Sequence, residues 1–228
     1  MATEFRVPRS KFRLFPCAVD PVCADEAKAP GPPTVLTVTR IGPGDREKNV
    51  DKALRAFALL SSQMPQAIYE IVGDGVLRGE LEALARELGI AERVRFLGRV
   101  DDAGLRDAYR RASVFILPSS KEGFGIVYLE AWQWALPVIC STEGASCEIV
   151  SDGVDGFVVD PDNIDSLAEH MHFLLANPEV ARTFGERGRR KVEENYLDGV
   201  FGERLKSLLN ELQETDAGAV DNDAARRL

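Results

Sequence analysis

The segment 118–131 combines two carboxylates with two glycines, just before an apolar run that predicts a helix over 124–135. Glu122 precedes this helix, and Glu130 lies one turn inside it, four residues after Ile126. The glycines at 123 and 125 allow the amide groups of the helix N-terminus to approach a phosphate closely. In that position Glu130 can accept hydrogen bonds from a ribose diol, and Glu122 can meet the hydroxyls of a sugar beyond the phosphates.

Each glutamate also has a simpler explanation. Glu122 can interact with the helix dipole alone, and Glu130 can be a solvated surface residue. The glycines, a preceding apolar strand and the seven-residue gap between the two carboxylates occur together. We therefore interpret this segment as a binding site.

Two cations follow the first predicted strand. Arg40 and Lys48 are eight residues apart across a loop, and a helix is predicted to begin at residue 49. If the loop folds back, both cations and the helix N-terminus suit a diphosphate. Taken alone, the loop is better explained as a surface turn at Gly42-Pro43-Gly44, because Pro43 has no N–H to offer a phosphate.

Short apolar runs alternate with amphipathic helices from Thr34 onward, and this pattern predicts an α/β fold with a doubly wound, Rossmann-like parallel sheet. In such a sheet the ligand lies beyond the carboxyl ends of the strands. We predict an irregular arm over 1–33, the sheet domain over 34–196, a C-terminal helix over 197–214 and a frayed polar tail over 215–228. The six predicted strands are 34–39, 67–73, 94–98, 113–118, 136–141 and 156–160.

Composition excludes several other classes of protein. With 28 basic and 37 acidic residues the net charge is −9, so bulk charge does not attract nucleic acid. Four cysteines without a C-x-x-C pair argue against a zinc site and a disulfide framework, and His170 and His172 face different sides of a helix. Asp160-Pro161-Asp162 precedes a helix, so we interpret this D-x-D as a turn and cap rather than a metal site. Without a signal peptide or an apolar span of about 18 residues, we expect a cytoplasmic protein with no membrane segment of its own.

The motifs, taken in order, resemble the C-terminal, nucleotide-sugar-binding domain of family-4 glycosyltransferases, which have the GT-B fold. The resemblance covers residues 34–196, and the E-x7-E segment with its Gly-Phe-Gly is its most specific part. Val76 departs from the proline that the family often has there. The matching motifs are Arg40 with Lys48-Asn49, Gly73-Asp74-Gly75, Phe96-Leu97-Gly98, Pro118-Ser119, the segment from Glu122 to Ala131, Gly144-x3-Glu148, and Asp152-Gly-x2-Gly156.

This resemblance implies transfer of a hexosyl group from a nucleoside-diphosphate sugar with retained anomeric configuration, without a metal or other cofactor. Arg40 and Lys48 would hold the donor diphosphate, and Glu122 would act at the donor sugar as the catalytic residue. Glu130 would bind the ribose. The segment that meets the sugar and distal phosphate would be Gly123, Phe124, Gly125 and Ile126, and the base would be read by Leu97, Gly98, Arg99 and Val100.

The resemblance also implies a partner. The family's acceptor-binding domain lies N-terminal, whereas only about 33 residues precede the first strand here, so we expect a fragment or one subunit of a split enzyme. Any membrane contact would come from that partner. Uridine and guanosine donors both fit, and a non-catalytic sugar-nucleotide-binding module would share the same site. An NAD-linked enzyme is disfavoured, because Thr39–Gly44 lacks the G-x-G-x-x-G fingerprint.

Overall fold

A computed structural model of the chain describes residues 8, 12–13, 15–22, 29 and 31–225. Its six strands form one parallel sheet in the order β3-β2-β1-β4-β5-β6, which confirms the predicted doubly wound fold. The strands are Thr34–Val38 (β1), Ile68–Val72 (β2), Val94–Gly98 (β3), Val114–Leu117 (β4), Val138–Ser141 (β5) and Gly156–Val159 (β6).

Eight α-helices connect and follow these strands in the described part of the chain. The last one runs to Ala225, so it is longer than the predicted helix over 197–214 and continues into the predicted tail. The helices are Val50–Gln63 (α1), Arg78–Glu87 (α2), Asp102–Arg111 (α3), Ile126–Gln133 (α4), Ser146–Ile149 (α5), Ile164–Ala176 (α6), Pro178–Asn195 (α7) and Asp198–Ala225 (α8).

The core lies in two clusters, one on each face of the sheet. Strand β4 shows the alternation, because Val114 and Ile116 join one cluster while Phe115 and Leu117 join the other. Helices α1, α2 and α6 cover the first face, and α3, α4 and α5 cover the second. All four β4 side chains are almost fully buried, which explains why this strand reads as a continuous apolar run in the sequence.

The sheet reverses its direction of growth between β1 and β4. These strands are hydrogen-bonded neighbours, with Val35 opposite Val114 and Leu36 opposite Phe115, although they are far apart in the sequence. The chain builds outward from β1 to β3, then crosses back to add β4, β5 and β6 on the other side. The loops that follow β1 and β4 therefore lie side by side, at the position where open α/β sheets bind ligands.

Helix α7 packs against helix α4, which carries Glu130. Trp132 of α4 is fully buried, and its indole Nε1 donates a hydrogen bond to the Asp155 carbonyl at 3.0 Å. The Lys191 ammonium of α7 lies 5.1 Å from the centre of the same ring. The two helices approach closely at Gly188, where an added Cβ would lie 2.0 Å from the indole.

The described part of the N-terminal arm pairs with the start of α8. Val19 forms a bridge with Leu197, and its amide donates to the Tyr196 carbonyl at 2.8 Å. Phe15 meets Phe201 edge-to-face with ring centroids 5.4 Å apart. These contacts fix residues 15–22 beside the second face of the sheet, next to α3 and α4.

The Gly188 contact gives a stability prediction. Gly188→Ala should lower the free energy of unfolding by about 1–3 kcal/mol, because the new methyl group overlaps a buried indole that has no room to move. Gly202→Ala is the matched control, since Gly202 is also helical and an added Cβ meets nothing within 4 Å. The control should gain about 0.5–1 kcal/mol. Urea denaturation of both variants measures the difference, and equal stabilities would contradict the packing described for α4 and α7.

Candidate functional site

Asn49 joins the loop after β1 to the loop after β4. Its backbone is left-handed, with φ of 54°, between a short 3-10 helix over Arg46–Lys48 and the start of α1. Its buried side-chain amide donates to the Pro118 carbonyl and to the Ser120 hydroxyl, both at 2.7 Å. The Ser120 amide in turn donates to the Glu47 carbonyl at 2.7 Å. Both loops are therefore held in one arrangement at the carboxyl end of the sheet.

This junction brings together two of the predicted site residues, Lys48 and Glu122. The Lys48 Nζ lies 2.7 Å from Glu122 Oε2, and the two side chains are only 16% and 15% exposed. The Glu122 carbonyl also accepts a hydrogen bond from the Ala145 amide at 3.0 Å, so the loop after β5 supports it. Water screens the attraction within this pair less than it would in an exposed pair, and removal of either partner would leave a shielded charge alone.

Arg40 has a different partner. Its guanidinium is 85% exposed and lies 3.3 Å from Asp45 Oδ1, and the other Asp45 oxygen accepts from the Gly42 amide at 2.9 Å. The predicted meeting of both cations at one point is therefore not present in this structure: Lys48 contacts Glu122 while Arg40 contacts Asp45. Because this ion pair is exposed, water screens it, and the Arg40 side chain can reorient toward an anion.

The predicted glycine-rich helix start is present at α4. Gly125 caps the helix with φ of 95°, a conformation that strains any residue with a side chain, and Ile126 begins the helix. Gly123 and Ile126 are exposed, while Phe124 packs edge-to-face on Tyr196 with ring centroids 6.0 Å apart. Gly125 itself is buried, so the exposed positions at this helix start are Gly123 and Ile126.

Glu130 faces a cavity between α3, α4 and the arm. Tyr109 of α3 donates its hydroxyl hydrogen to Glu130 Oε2 at 2.9 Å. Burial raises the pKa of the Glu130 carboxyl, and the hydrogen bond from Tyr109 opposes this shift. The cavity has a volume of about 470 Å³, and its lining includes Asp20, Arg106, Tyr109, Ile126 and Glu130.

The loop predicted to read the base lies at the same end of the sheet. Gly98 ends β3, and its carbonyl accepts a hydrogen bond from the Gly73 amide at 2.8 Å. Leu97 and Val100 pack partly buried against the second core cluster, whereas Arg99 is exposed. The four residues therefore stand two strands away from Lys48, beside the start of α3.

His170 and the aspartates of the D-x-D motif, which were not assigned to the site, contact other residues in the structure. His170 packs on Phe157 with ring centroids 4.3 Å apart, and Asp162 pairs with Lys52 at 2.6 Å. Asp160 stabilises the turn by accepting from the Asp162 amide, but the residue that caps α6 is Asn163, so the expected capping role of the aspartates is corrected. Within the described ranges, no three His, Cys, Asp or Glu side chains are grouped as metal ligands would be. None of the helices there has both the length and the apolar character of a membrane span.

Sequence reasoning missed Tyr109 and underused Asn49. Tyr109 is 21 residues from Glu130, and nothing in the spacing predicts that their side chains meet. Asn49 carried a usable signal, because asparagine is one of the few residues that tolerate the left-handed region. An asparagine directly before a helix usually predicts an N-cap, whereas Asn49 makes no side-chain capping hydrogen bond.

The junction predicts a loss of stability in Asn49→Gly. Glycine keeps the left-handed backbone but removes both amide hydrogen bonds, which should lower the free energy of unfolding by about 1–3 kcal/mol. Ser120→Ala removes one of the two partners and should cost less. Thermal or urea unfolding compares the variants with the wild type. Wild-type stability in Asn49→Gly would mean that the two loops are held together by other contacts.

Comparisons with known proteins agree with this geometry. A family model described as "Glycosyl transferases group 1" matches residues 23–191. A protein of Mycolicibacterium smegmatis, named GDP-mannose-dependent alpha-(1-6)-phosphatidylinositol monomannoside mannosyltransferase, is 33% identical over 189 residues, which are 80% of this chain and 49% of that protein. Its Corynebacterium glutamicum counterpart, named as acting on the monoacylated form, is 32% identical over 78% of this chain. The chain spans about half the length of the curated relatives it matches.

Solved structures show the same fold. Sucrose-phosphate synthase from Thermosynechococcus elongatus superposes with a TM-score of 0.76 and 30% identity, covering 89% of this chain and 53% of that one. The C-terminal domain of a group 1 glycosyltransferase from Francisella tularensis gives a TM-score of 0.67 at 23% identity and covers 81% of this chain and 96% of that domain. The resemblance inferred from the motifs is confirmed, and the chain belongs to the group 1 glycosyltransferase family.

Proposed function

We propose that this chain is the donor-binding part of a retaining glycosyltransferase and holds a nucleoside-diphosphate sugar at the junction of the loops after β1 and β4. The observation that carries the proposal is the Lys48–Glu122 ion pair, which places a cation and a carboxylate together at the N-terminus of α4. A diphosphate suits the cation and the helix N-terminus, and the sugar hydroxyls suit the carboxylate. Glu130, which lines the cavity beside the same helix, would bind the ribose.

The chemistry follows from where charge develops. When the bond between the anomeric carbon and the distal phosphate breaks, negative charge grows on the diphosphate. Lys48 and the amides of Gly125 and Ile126 offset that charge without a metal, and Arg40 can join them by leaving its exposed pair with Asp45. Glu122 lies next to Lys48 and stabilises the positive charge that develops on the sugar ring. Retention of the anomeric configuration is part of this proposal and rests on the family resemblance.

The names of the relatives give the first donors to test. Two relatives that match about four fifths of the chain are named as GDP-mannose-dependent mannosyltransferases, which favours GDP-mannose here. A solved neighbour is titled as a complex with UDP and glucose, and UDP donors are the alternative. The base would lie beside Leu97–Val100 and the start of α3.

An acceptor-binding domain or separate subunit completes the active site in this proposal. The site described above contains the groups proposed for a diphosphate, a ribose and a donor sugar. The relatives that the chain matches are about twice as long as the matched part. We propose that the protein acts in the cytoplasm. Any membrane contact would then be made by the acceptor-binding part.

The ion pair predicts a phosphate-specific effect of Lys48→Ala. Loss of the cation, together with the Glu122 carboxylate left unpaired, should weaken GDP or UDP by about 1.5–3 kcal/mol, roughly 10- to 150-fold in Kd. Guanosine or uridine should bind almost as before. Lys52→Ala is the control, because Lys52 lies four residues on and pairs with Asp162 instead. Calorimetry measures all four affinities, and an equal loss for diphosphate and nucleoside would put Lys48 away from the phosphates.

The burial of Glu130 predicts how the binding of a ribose-containing ligand depends on pH. An ionised carboxylate accepts from a ribose more strongly than a protonated one, and burial raises the pKa of Glu130, so its protonation begins at a higher pH than for an ordinary glutamate. Affinity for guanosine or uridine, which carry the ribose without a titrating phosphate, should therefore fall as the pH is lowered through this raised pKa. Glu130→Gln should bind more weakly at neutral pH, by roughly 1–3 kcal/mol, and lack this acid limb.

Titrations from neutral to acidic pH measure that limb. Asp20, Asp102 and Arg106 are the other charged residues that line the same cavity. The same acid limb in Glu130→Gln would assign the pH dependence to a different group.

A further inference from the structure

Tyr109 holds one oxygen of Glu130 in a fixed place. The tyrosine is 3% exposed and packs in the second core cluster, where its ring lies 6.4 Å from that of Phe115. Its hydroxyl has one hydrogen to donate, and it donates it to Glu130 Oε2 at 2.9 Å. Because the ring is rigidly packed, the bond fixes both the rotamer and the tilt of the carboxylate.

The other carboxylate oxygen is left for a ligand. Among the hydrogen bonds of the described residues, Glu130 accepts only the one from Tyr109, and that bond uses Oε2. Glu130 is half-buried and lines the cavity of about 470 Å³ between α3, α4 and the arm. Oε1 is therefore the acceptor that can meet a hydroxyl group in the cavity, and its direction is set by the bond on Oε2.

We propose that Tyr109 is the positioning residue that makes Glu130 selective for a ribose over a deoxyribose. The inference rests on the proposed nucleotide site and adds a residue that no motif assigns. A carboxylate that rotates freely adapts to whichever hydroxyl is present and loses little when one is absent. A carboxylate fixed in one direction binds one hydroxyl well and is left without a partner when that hydroxyl is missing, so it discriminates more strongly.

The protein offers a matched control. Tyr69 is also fully buried, and its hydroxyl lies 2.8 Å from Thr37 Oγ1 in the core cluster on the opposite face of the sheet. Tyr69→Phe and Tyr109→Phe each remove one buried, hydrogen-bonded hydroxyl. Only Tyr109→Phe removes the hydrogen bond to Glu130. A general loss of stability would affect both variants, whereas a change in ribose selectivity is expected from one.

The test titrates the full chain with GDP and UDP and with their 2′-deoxy and 3′-deoxy forms. In the wild type, the nucleotide that lacks the recognised hydroxyl should bind about 10-fold or more weakly than the ribonucleotide. Tyr109→Phe should reduce that ratio by about three- to tenfold, mainly by weakening the ribonucleotide. Tyr69→Phe should keep the wild-type ratio. In a Glu130→Gln background, adding Tyr109→Phe should change the ratio no further.

The outcomes separate this inference from the proposed function. A wild-type chain that discriminates against a deoxynucleotide, with the same ratio in Tyr109→Phe, overturns the role of Tyr109 and leaves the nucleotide site standing. A further reduction in the Glu130→Gln background also overturns it, because Tyr109 would then act on selectivity without Glu130. A wild-type chain that binds neither GDP nor UDP overturns both proposals. Thermal unfolding confirms that both phenylalanine variants are folded at the temperature used.

Discussion

The arrangement of the site depends on two loops that are distant in sequence and adjacent in space. Strands β1 and β4 are neighbours only because the chain crosses back at the centre of the sheet, and their loops would otherwise be free to separate. The buried amide of Asn49 spans the gap, bonding to the Pro118 carbonyl and the Ser120 hydroxyl. Lys48 and Glu122 stand on either side of this contact, so their 2.7 Å pairing follows from it.

That pairing gives the two side chains a defined state before any ligand arrives. Leaving a shielded lysine or glutamate alone would cost free energy, and each neutralises the other. In the proposed function, a diphosphate would give Lys48 a second anionic partner, and Glu122 would stay beside the donor sugar. Arg40 contrasts with Lys48, because its exposed pair with Asp45 is weak and screened by solvent. The site thus combines one cation that is already placed with one that can move.

The elements and the site differ in how far the sequence determines them. The strands were predicted to within two residues, because β1 to β6 are apolar runs bounded by loops. Glu122 was placed correctly in the loop before α4 and Glu130 within α4, because helical spacing is local. The contact of Tyr109 with Glu130 was not predictable, since it depends on how α3 and α4 pack on the sheet. The partner of Arg40 was missed for a similar reason: the turn that presents Asp45 is set by its bond to the Gly42 amide.

The most direct test of the account is a calorimetric titration of the wild-type chain with GDP, UDP, ADP and NAD in the absence of metal. The described geometry provides a cation and a helix N-terminus for a diphosphate, and the family to which the chain belongs transfers sugars. We predict saturable binding of GDP or UDP with a stoichiometry of about one and weaker binding of NAD. Preferential binding of NAD, or no binding of any nucleoside diphosphate, would contradict the central claim.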